Sequence, residues 1–544
     1  MMRAILCCIL SIVFTLFLRP TYSIKKSYVV YLGGHSHGKQ VSSVDINRVK
    51  YSHHQLLGSY LGRHINGFAA MLEEEEAAEI AKNREVISVF LNRARRLQTT
   101  RSWEFLGLEG EGGLIHEGSI WKKARFGEDT IIGNLDTGVW PESKSFSDEG
   151  FGPIPKRWKG ICQNQKDKSF HCNRKLIGAR YFNKGYSSAG GTLNSSSSFT
   201  PRDVGGHGSH TLSTAGGNFV AGANVFGLGN GTAKGGSPKA RVAAYKVCWA
   251  EDYCSDADIL AAFDRAIDDG VDVLSVSLVG EDPGPYFEDG LAIGSFHAVK
   301  NGIVVVAAAG NDGPDAGSVT NVAPWLITVG ANTIDRQFQS NVVLGNKKHY
   351  TGESAAQLKL PTGKFYPLLS GASARINASI SSQDALVCKP GTLDPEKVKG
   401  KVLVCLRGGI PRTDKSHQAA LAGAVGMILA NDENPVAHIT HPNTLLGVKP
   451  APVIAAFSSR GPNAVNPEIL KPDISAPGVN VIAAFTEAIG PSDNDYDKRI
   501  VSFNLLSGTS MSCPHVAGVV GLLKTLYPSW SPAAIRSAIM TTGT

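Results

Sequence analysis

Charge of one sign, membrane-length apolar runs and cysteines are all scarce in this sequence, and each shortage removes a class of function. The 54 Lys and Arg stand against 47 Asp and Glu, so the formal charge of +7 is spread thinly over 544 residues. No block of Lys and Arg carries interleaved aromatics, which argues against a nucleic-acid partner. One apolar run stands out, Ile5 to Leu18, and it falls short of the roughly 20 residues a membrane span needs. With Arg3 ahead of it and Thr21-Tyr22-Ser23 behind it, segment 1–23 reads as an export signal, with a membrane anchor as the alternative. No Gly-x-Ser-x-Gly elbow occurs, which removes the hydrolases that run Ser, Asp, His along the chain.

The nine cysteines fit export. Cys7 and Cys8 leave with the signal. Cys162/Cys172, Cys248/Cys254 and Cys388/Cys405 are paired here by proximity alone, one of many connectivities open to six cysteines. Cys513 is left over and is expected to be a free, buried thiol. Asn194, Asn230 and Asn377 each open an Asn-x-Ser/Thr triplet and are candidate glycosylation sites.

What is plentiful is length and glycine. A chain this long should hold at least two domains, and 60 glycines imply many tight turns and close backbone approaches. Residues 24–98 read as a small α+β unit, with strands at 27–32 and 86–90, a helix at 73–82 and a basic stretch at 93–96. From about residue 129 strands and helices alternate. Apolar strands are expected at 130–135, 240–247, 271–278 and 303–309. Helices are expected from the Ser255 cap to Gly270 and at 290–300, 510–527 and from Ser531-Pro532. Strands apolar throughout, alternating with helices, predict a parallel sheet covered on both faces. Between 346 and 450 the rhythm breaks, with strands at 401–405 and 425–429 and a helix at 417–424, as in an inserted domain. The α/β core then resumes at 452–457.

Hydrolysis of an amide by serine needs a nucleophile, a base, an acid to orient the base and donors for the oxyanion. Asp136, in Asn134-Leu135-Asp136-Thr137-Gly138, follows an apolar strand, where open parallel sheets place their sites. It also suits an ordinary turn. His207, in Gly205-Gly206-His207-Gly208-Ser209-His210, is the candidate base. A metal pair with His210 is the alternative, but no third ligand stands nearby at a zinc-like spacing, so neither metal nor cofactor is expected. Ser510, in Ser507-Gly508-Thr509-Ser510-Met511-Ser512-Cys513-Pro514-His515, opens a helix whose N–H groups point at a developing anion, although such a run is also a plain N-cap. Asn311, in Ala309-Gly310-Asn311-Asp312-Gly313-Pro314, ends an apolar strand and can donate to the oxyanion, or simply turn the chain.

Together, Asp-Thr-Gly, His-Gly-Ser-His and Gly-Thr-Ser-Met-Ser, in that order with Asn311 between the last two, resemble the subtilases. The runs 133–143, 458–463 and 471–478 resemble the plant, cucumisin-like branch. The resemblance implies an α/β subtilisin-like three-layer fold and a secreted serine endopeptidase, located in the cell wall or apoplast if the source is a plant. It implies catalytic parts at 99–345 and 451–544 and a protease-associated domain at 346–450. It further implies that residues 24–98 are an inhibitory propeptide, released by self-cleavage near Gln98-Thr99. The partners it implies are polypeptide substrates and the chain's own propeptide, with no nucleic acid and no membrane once the signal is gone. Ser277-Leu278-Val279-Gly280 resembles the substrate-cleft strand, with Val279 where the family usually has Gly; the added carbons should narrow a pocket. Ser209 stands where the family usually has Thr. Family segments are expected but absent after Arg63, between Asn431 and His441, and beyond Thr544. The alternative is therefore a catalytically inactive or unstable truncated isoform.

Overall fold

A computed structural model describes residues 26–33, 56–59, 66–83, 86, 88–91 and 100–543, apart from 189–190, 193–198, 250–252, 281–282, 359, 362 and 431–440. The chain divides into two compact units, Met1–Arg96 and Leu97–Thr544.

In the first unit an antiparallel sheet of order β2-β3-β1-β4 is built from β1 (Lys26–Gly33), β2 (Leu56–Ser59), β3 (Asn66–Leu72) and β4 (Ser88–Leu91). Helix α1 (Glu74–Ile80) begins where Glu76 reaches back to accept from Glu73 N at 2.9 Å. Leu72, Ala77, Ile80 and Val89 pack together beneath it. The last strand starts two residues later than the apolar run at 86–90 suggests. The basic stretch 93–96 lies outside the described residues.

The second unit is organised by a seven-stranded sheet in which every described pairing is parallel. Its strands are β5 (Ile131–Asp136), β6 (Leu176–Tyr181), β7 (Arg241–Lys246), β8 (Val273–Val276), β9 (Val304–Ala308), β10 (Ile327–Asn332) and β11 (Ile474–Pro477), in the order β11-β10-β9-β8-β5-β7-β6. Every residue of β5, β7, β8, β9 and β10 is buried. A sheet with both faces covered requires this, and it explains the unbroken apolar runs. On one face α3 (Asp256–Asp269) and α4 (Gly290–Lys300) bury Ile259, Phe263, Leu291 and Ala298 against Leu135, Leu274 and Val305. On the other, α2 (His207–Gly216), α6 (Thr509–Leu526) and α7 (Pro532–Thr542) bury Ala215, Val516, Val520 and Ile535 against Ile132, Val273 and Val306.

Three local expectations need correction. Ser255 stands at the N-cap of α3 but makes no capping hydrogen bond; its hydroxyl lies where a Cβ on Gly185 would stand. The run 452–457 is not a strand and gives only an isolated bridge, Asn332 to Ile454. Pro452 has no N–H to donate, and the ladder beside β10 is taken by β11. The helix expected at 417–424 is α5 (Arg412–Leu421), which begins directly after Pro411.

Between β10 and β11, strands Leu368–Ser370, Val402–Leu406 and Gly426–Ala430 form a small parallel sheet. It has its own core of Ala374, Cys388, Leu393, Leu403, Cys405 and Ala419. Among the described residues the disulfides are Cys162–Cys172, Cys248–Cys254 and Cys388–Cys405, and Cys513 is free and buried. No described helix is long and apolar enough to cross a membrane.

Candidate active site

Parallel strands deliver their carboxyl ends to one edge, and the predicted residues gather there. Leu135 pairs with Val276, and Val276 with Ala307, so Asp136, Ser277 and the Ala308–Asn311 turn follow one another along that edge. Helices α2 and α6 pack against each other and start at the same edge, carrying His207 and Ser510.

Asp136 is almost wholly buried. Its Oδ1 accepts from His207 Nδ1 at 2.7 Å and from Thr137 N at 2.7 Å, and its Oδ2 accepts from Thr211 Oγ1 at 3.0 Å. The imidazole keeps a third of its surface exposed. Two glycines make this approach possible. Gly206 holds φ at 87° with the Phe485 ring against it, and a Cβ on Gly208 would strike Gly138 and the Thr137 hydroxyl.

At the start of α6, Ser510 Oγ donates to Ser277 O at 3.3 Å, and Ser277 Oγ donates to Ser510 O at 2.9 Å. Asn311 is held by its oxygen, which accepts from Thr509 N at 2.9 Å and Thr509 Oγ1 at 3.1 Å. Its Nδ2 and the Ser510 N–H donate to no described residue, so two donors lie open beside the Ser510 hydroxyl.

This geometry has the parts of a serine hydrolase, and the comparisons give the family. Residues 127–544 match the model described as the Subtilase family, and residues 27–98 match that of peptidase inhibitor I9. The chain belongs to the subtilase family. The Subtilisin-like proteases SBT5.3 and SBT5.4 of Arabidopsis thaliana are each 58% identical to it. The alignments cover 95% and 97% of this chain and 73% of each relative. Subtilisin-like protease Glyma18g48580 of Glycine max is 48% identical over 98% of this chain and 75% of its own. The protein is thus a subtilisin-like serine endopeptidase of the plant type, carrying an I9 propeptide domain and a subtilisin fold with a parallel sheet.

The subtilase site contains a carboxylate that motif reading passes over. Asp203 is fully buried. Its Oδ1 accepts from Thr137 Oγ1 (2.9 Å), Gly205 N (3.1 Å) and Gly206 N (2.7 Å), and its Oδ2 from Ser209 N and Ser209 Oγ (both 2.7 Å). Thr137 Oγ1 in turn accepts from Gly208 N at 2.8 Å, so one carboxylate fixes both the Asp136 turn and the start of α2. The only sequence signal was an Asp shortly before a helix. Ser209 uses its hydroxyl fully, since Trp140 N also donates to it at 2.8 Å.

His210 belongs to the core. Its Nε2 lies 3.1 Å from Val481 O and 3.3 Å from Asn504 O, and burial pushes its pKa down to about 3. Cys513 has its sulfur 3.2 Å from Val306 O, and burial pushes its thiol up to about 11, far from the thiolate a nucleophile needs. The segment 277–280 is not a strand, since β8 ends at Val276; in it Leu278 is buried, while Val279 is 43% exposed and Gly280 exposed. Asn230 and Asn377 are exposed, and Asn194 lies outside the described residues. No group of three or more described His, Cys, Asp or Glu converges as a metal site.

Proposed function

We propose that this subtilase cuts peptide bonds with Ser510 as nucleophile, His207 as its general base and Asp136 as the carboxylate that orients the imidazole. Ser510 Oγ attacks the substrate carbonyl while His207 Nε2 takes its proton. Asp136 stays ionised, keeps hydrogen on Nδ1 and stabilises the imidazolium. Negative charge grows on the carbonyl oxygen, where Asn311 Nδ2 and the Ser510 N–H receive it. His207 then gives the proton to the leaving amine, and water repeats the sequence to free the acyl group. The long bond from Ser510 Oγ to Ser277 O is weak enough to yield when the base takes over. The observation that carries the reading is the pair of open donors at the start of α6, at the sheet edge where a buried carboxylate grips His207.

Around this chemistry we assign segment 1–23 to export, 24–98 to the inhibitory propeptide, 99–345 and 451–544 to the catalytic domain and 346–450 to a protease-associated domain. The enzyme is secreted and glycosylated at Asn194, Asn230 and Asn377. Ser277 to Gly280 line the substrate cleft. Ser510→Ala tests the centre of the proposal. Turnover of peptides should fall at least about a thousandfold, fluorophosphonate labelling should vanish, and the propeptide should stay attached. Self-processing of that variant at the wild-type rate would remove Ser510 from the mechanism.

A further inference from the structure

We propose that Asn321 is a positioning residue for substrate selection: it clamps the gap between the two strand ends that flank Ser510. The inference rests on the triad reading above. Strands β8 and β9 are paired as far as Val276 and Ala307. Beyond that pair they part. The chain after β8 continues as Ser277–Gly280, whereas after β9 Ala309 N turns to Val329 O on the far side. Ser510 is tied to one lip of this split through Ser277, and Asn311 stands on the other, tied to Thr509. A peptide whose carbonyl sits between Ser510 Oγ and Asn311 Nδ2 must lay a neighbouring side chain along the split.

Asn321 spans it. Its Nδ2 donates to Leu278 O at 2.7 Å on one side and to Ala308 O at 2.8 Å on the other. The residue is 7% exposed, so removing the amide strands two carbonyls away from water. Two acceptors facing one atom also fix which end of the amide is nitrogen. The backbone is held as well. Its φ is 56°, in the left-handed region that Asn tolerates better than most residues, and Thr328 Oγ1 donates to its carbonyl at 2.7 Å. Val279 follows Leu278 and is 43% exposed, so the clamp also sets the backbone that carries this isopropyl group. A gap drawn together by Asn321 and narrowed by Val279 selects peptides with a small side chain before the cut bond.

Two variants test this in the full-length precursor after processing. Asn321→Gly keeps the left-handed backbone and removes the amide. Asn321→Asp keeps the shape but sets a carboxylate against two carbonyls. The substrates are peptides identical except for Ala or Phe before the cut bond. Wild type prefers Ala, and the Ala-to-Phe ratio of kcat/KM should fall about tenfold in Asn321→Gly, as lost discrimination in a loosened pocket requires. In Asn321→Asp the ratio should fall similarly at about pH 8 and recover in part at about pH 5, where a protonated carboxyl restores one donor. Taking a ratio cancels any pH effect on catalysis that both substrates share. If the glycine variant does not fold, the aspartate variant decides. An unchanged ratio in a folded variant, with both substrates slowed equally, overturns the clamp, as does a wild type that prefers Phe. Ser510→Ala in the same assay reports separately: hydrolysis surviving there overturns the triad reading, whatever the ratio does.

Discussion

Two helices begin at the same edge of the sheet, and their first turns are completed in opposite ways. Both have glycine at the N-cap, Gly206 for α2 and Gly508 for α6, and neither has a capping side chain of its own. At α2 a buried carboxylate is built in: Asp203 takes Gly205 N, Gly206 N and Ser209 N. At α6 the first N–H goes to Asn311, and the Ser510 N–H stays open. The start of a helix favours an anion. In α2 a carboxylate of the chain itself fills that place, and it locks the residue after Gly206 in position. In α6, on our reading, the position is kept for the charge that forms on the substrate only during reaction. One end is closed for rigidity and the other left open for chemistry.

Mutations at the two ends should therefore fail differently. At the open end, Asn311→Ala should lower kcat about a hundredfold or more with little change in KM, because the lost donor acts chiefly on the developing oxyanion. Its effect on stability should be small, since Asn311 is exposed. Steady-state kinetics on a peptide substrate checks this. A large rise in KM with kcat preserved would make Asn311 a binding residue and erase the contrast.

At the closed end, Asp203→Ala should act first on folding. It removes the shared acceptor of the buried Gly206 and Ser209 N–H groups, of the exposed Gly205 N–H and of two hydroxyls, which should cost about 3 kcal/mol or more. Denaturant unfolding in a Ser510→Ala background, where autolysis cannot intervene, measures it. The activity of Asp203→Ala with Ser510 intact should also fall, because His207 follows directly on the turn that Asp203 holds. A stability loss no larger than that of Asn311→Ala would show that the closed end is not the more structural of the two.

The same contrast explains what the sequence disclosed. Asp136, His207, Ser510 and Asn311 stand in short runs of glycine and small hydroxyl residues, because close approach and exposed hydroxyls demand those neighbours. Their spacing is local, so it is legible. Asp203 has the same local setting, but an aspartate ahead of a glycine-rich turn is commonplace, and its importance lies in how many donors converge on it. Asn321 is less legible still, since its partners lie 43 and 13 residues away. The sheet follows a similar rule. Buried central strands read as runs rich in Val, Ile, Leu and Ala, whereas the edge strand Ile474–Pro477 is short and carries Ser and Pro. The more apolar 452–457 run, which begins with proline, is no strand at all.

The two helices also share a feature, and it yields the smallest expected effect. Each buries a neutral histidine one to two turns in: His210 on α2 and His515 on α6. His515 Nδ1 lies 2.7 Å from Met511 O, while its Nε2, like Nδ1 of His210, has no hydrogen-bond partner among the described residues. A second proton on either ring would be a buried, unpaired charge, and burial accordingly pushes the pKa values down to about 3 for His210 and about 4 for His515. The unfolded chain binds these protons from about pH 6.5 downward, and the folded chain does not until pH nears 4 or 3. Stability from both groups is thus fully present above about pH 6.5 and drains away as pH falls, at up to about 1.4 kcal/mol per pH unit for each histidine. His515→Asn keeps a donor for Met511 O and removes the titrating ring. It should be less stable at neutral pH, having lost the ring packed against Trp103 at 4.8 Å, yet its stability should fall less steeply between about pH 6.5 and 4.5, by up to that same slope. Equal slopes in the variant and wild type would mean that His515 already carries its second proton in the folded protein. The open-ended helix would then hold a buried cation five residues from its nucleophile.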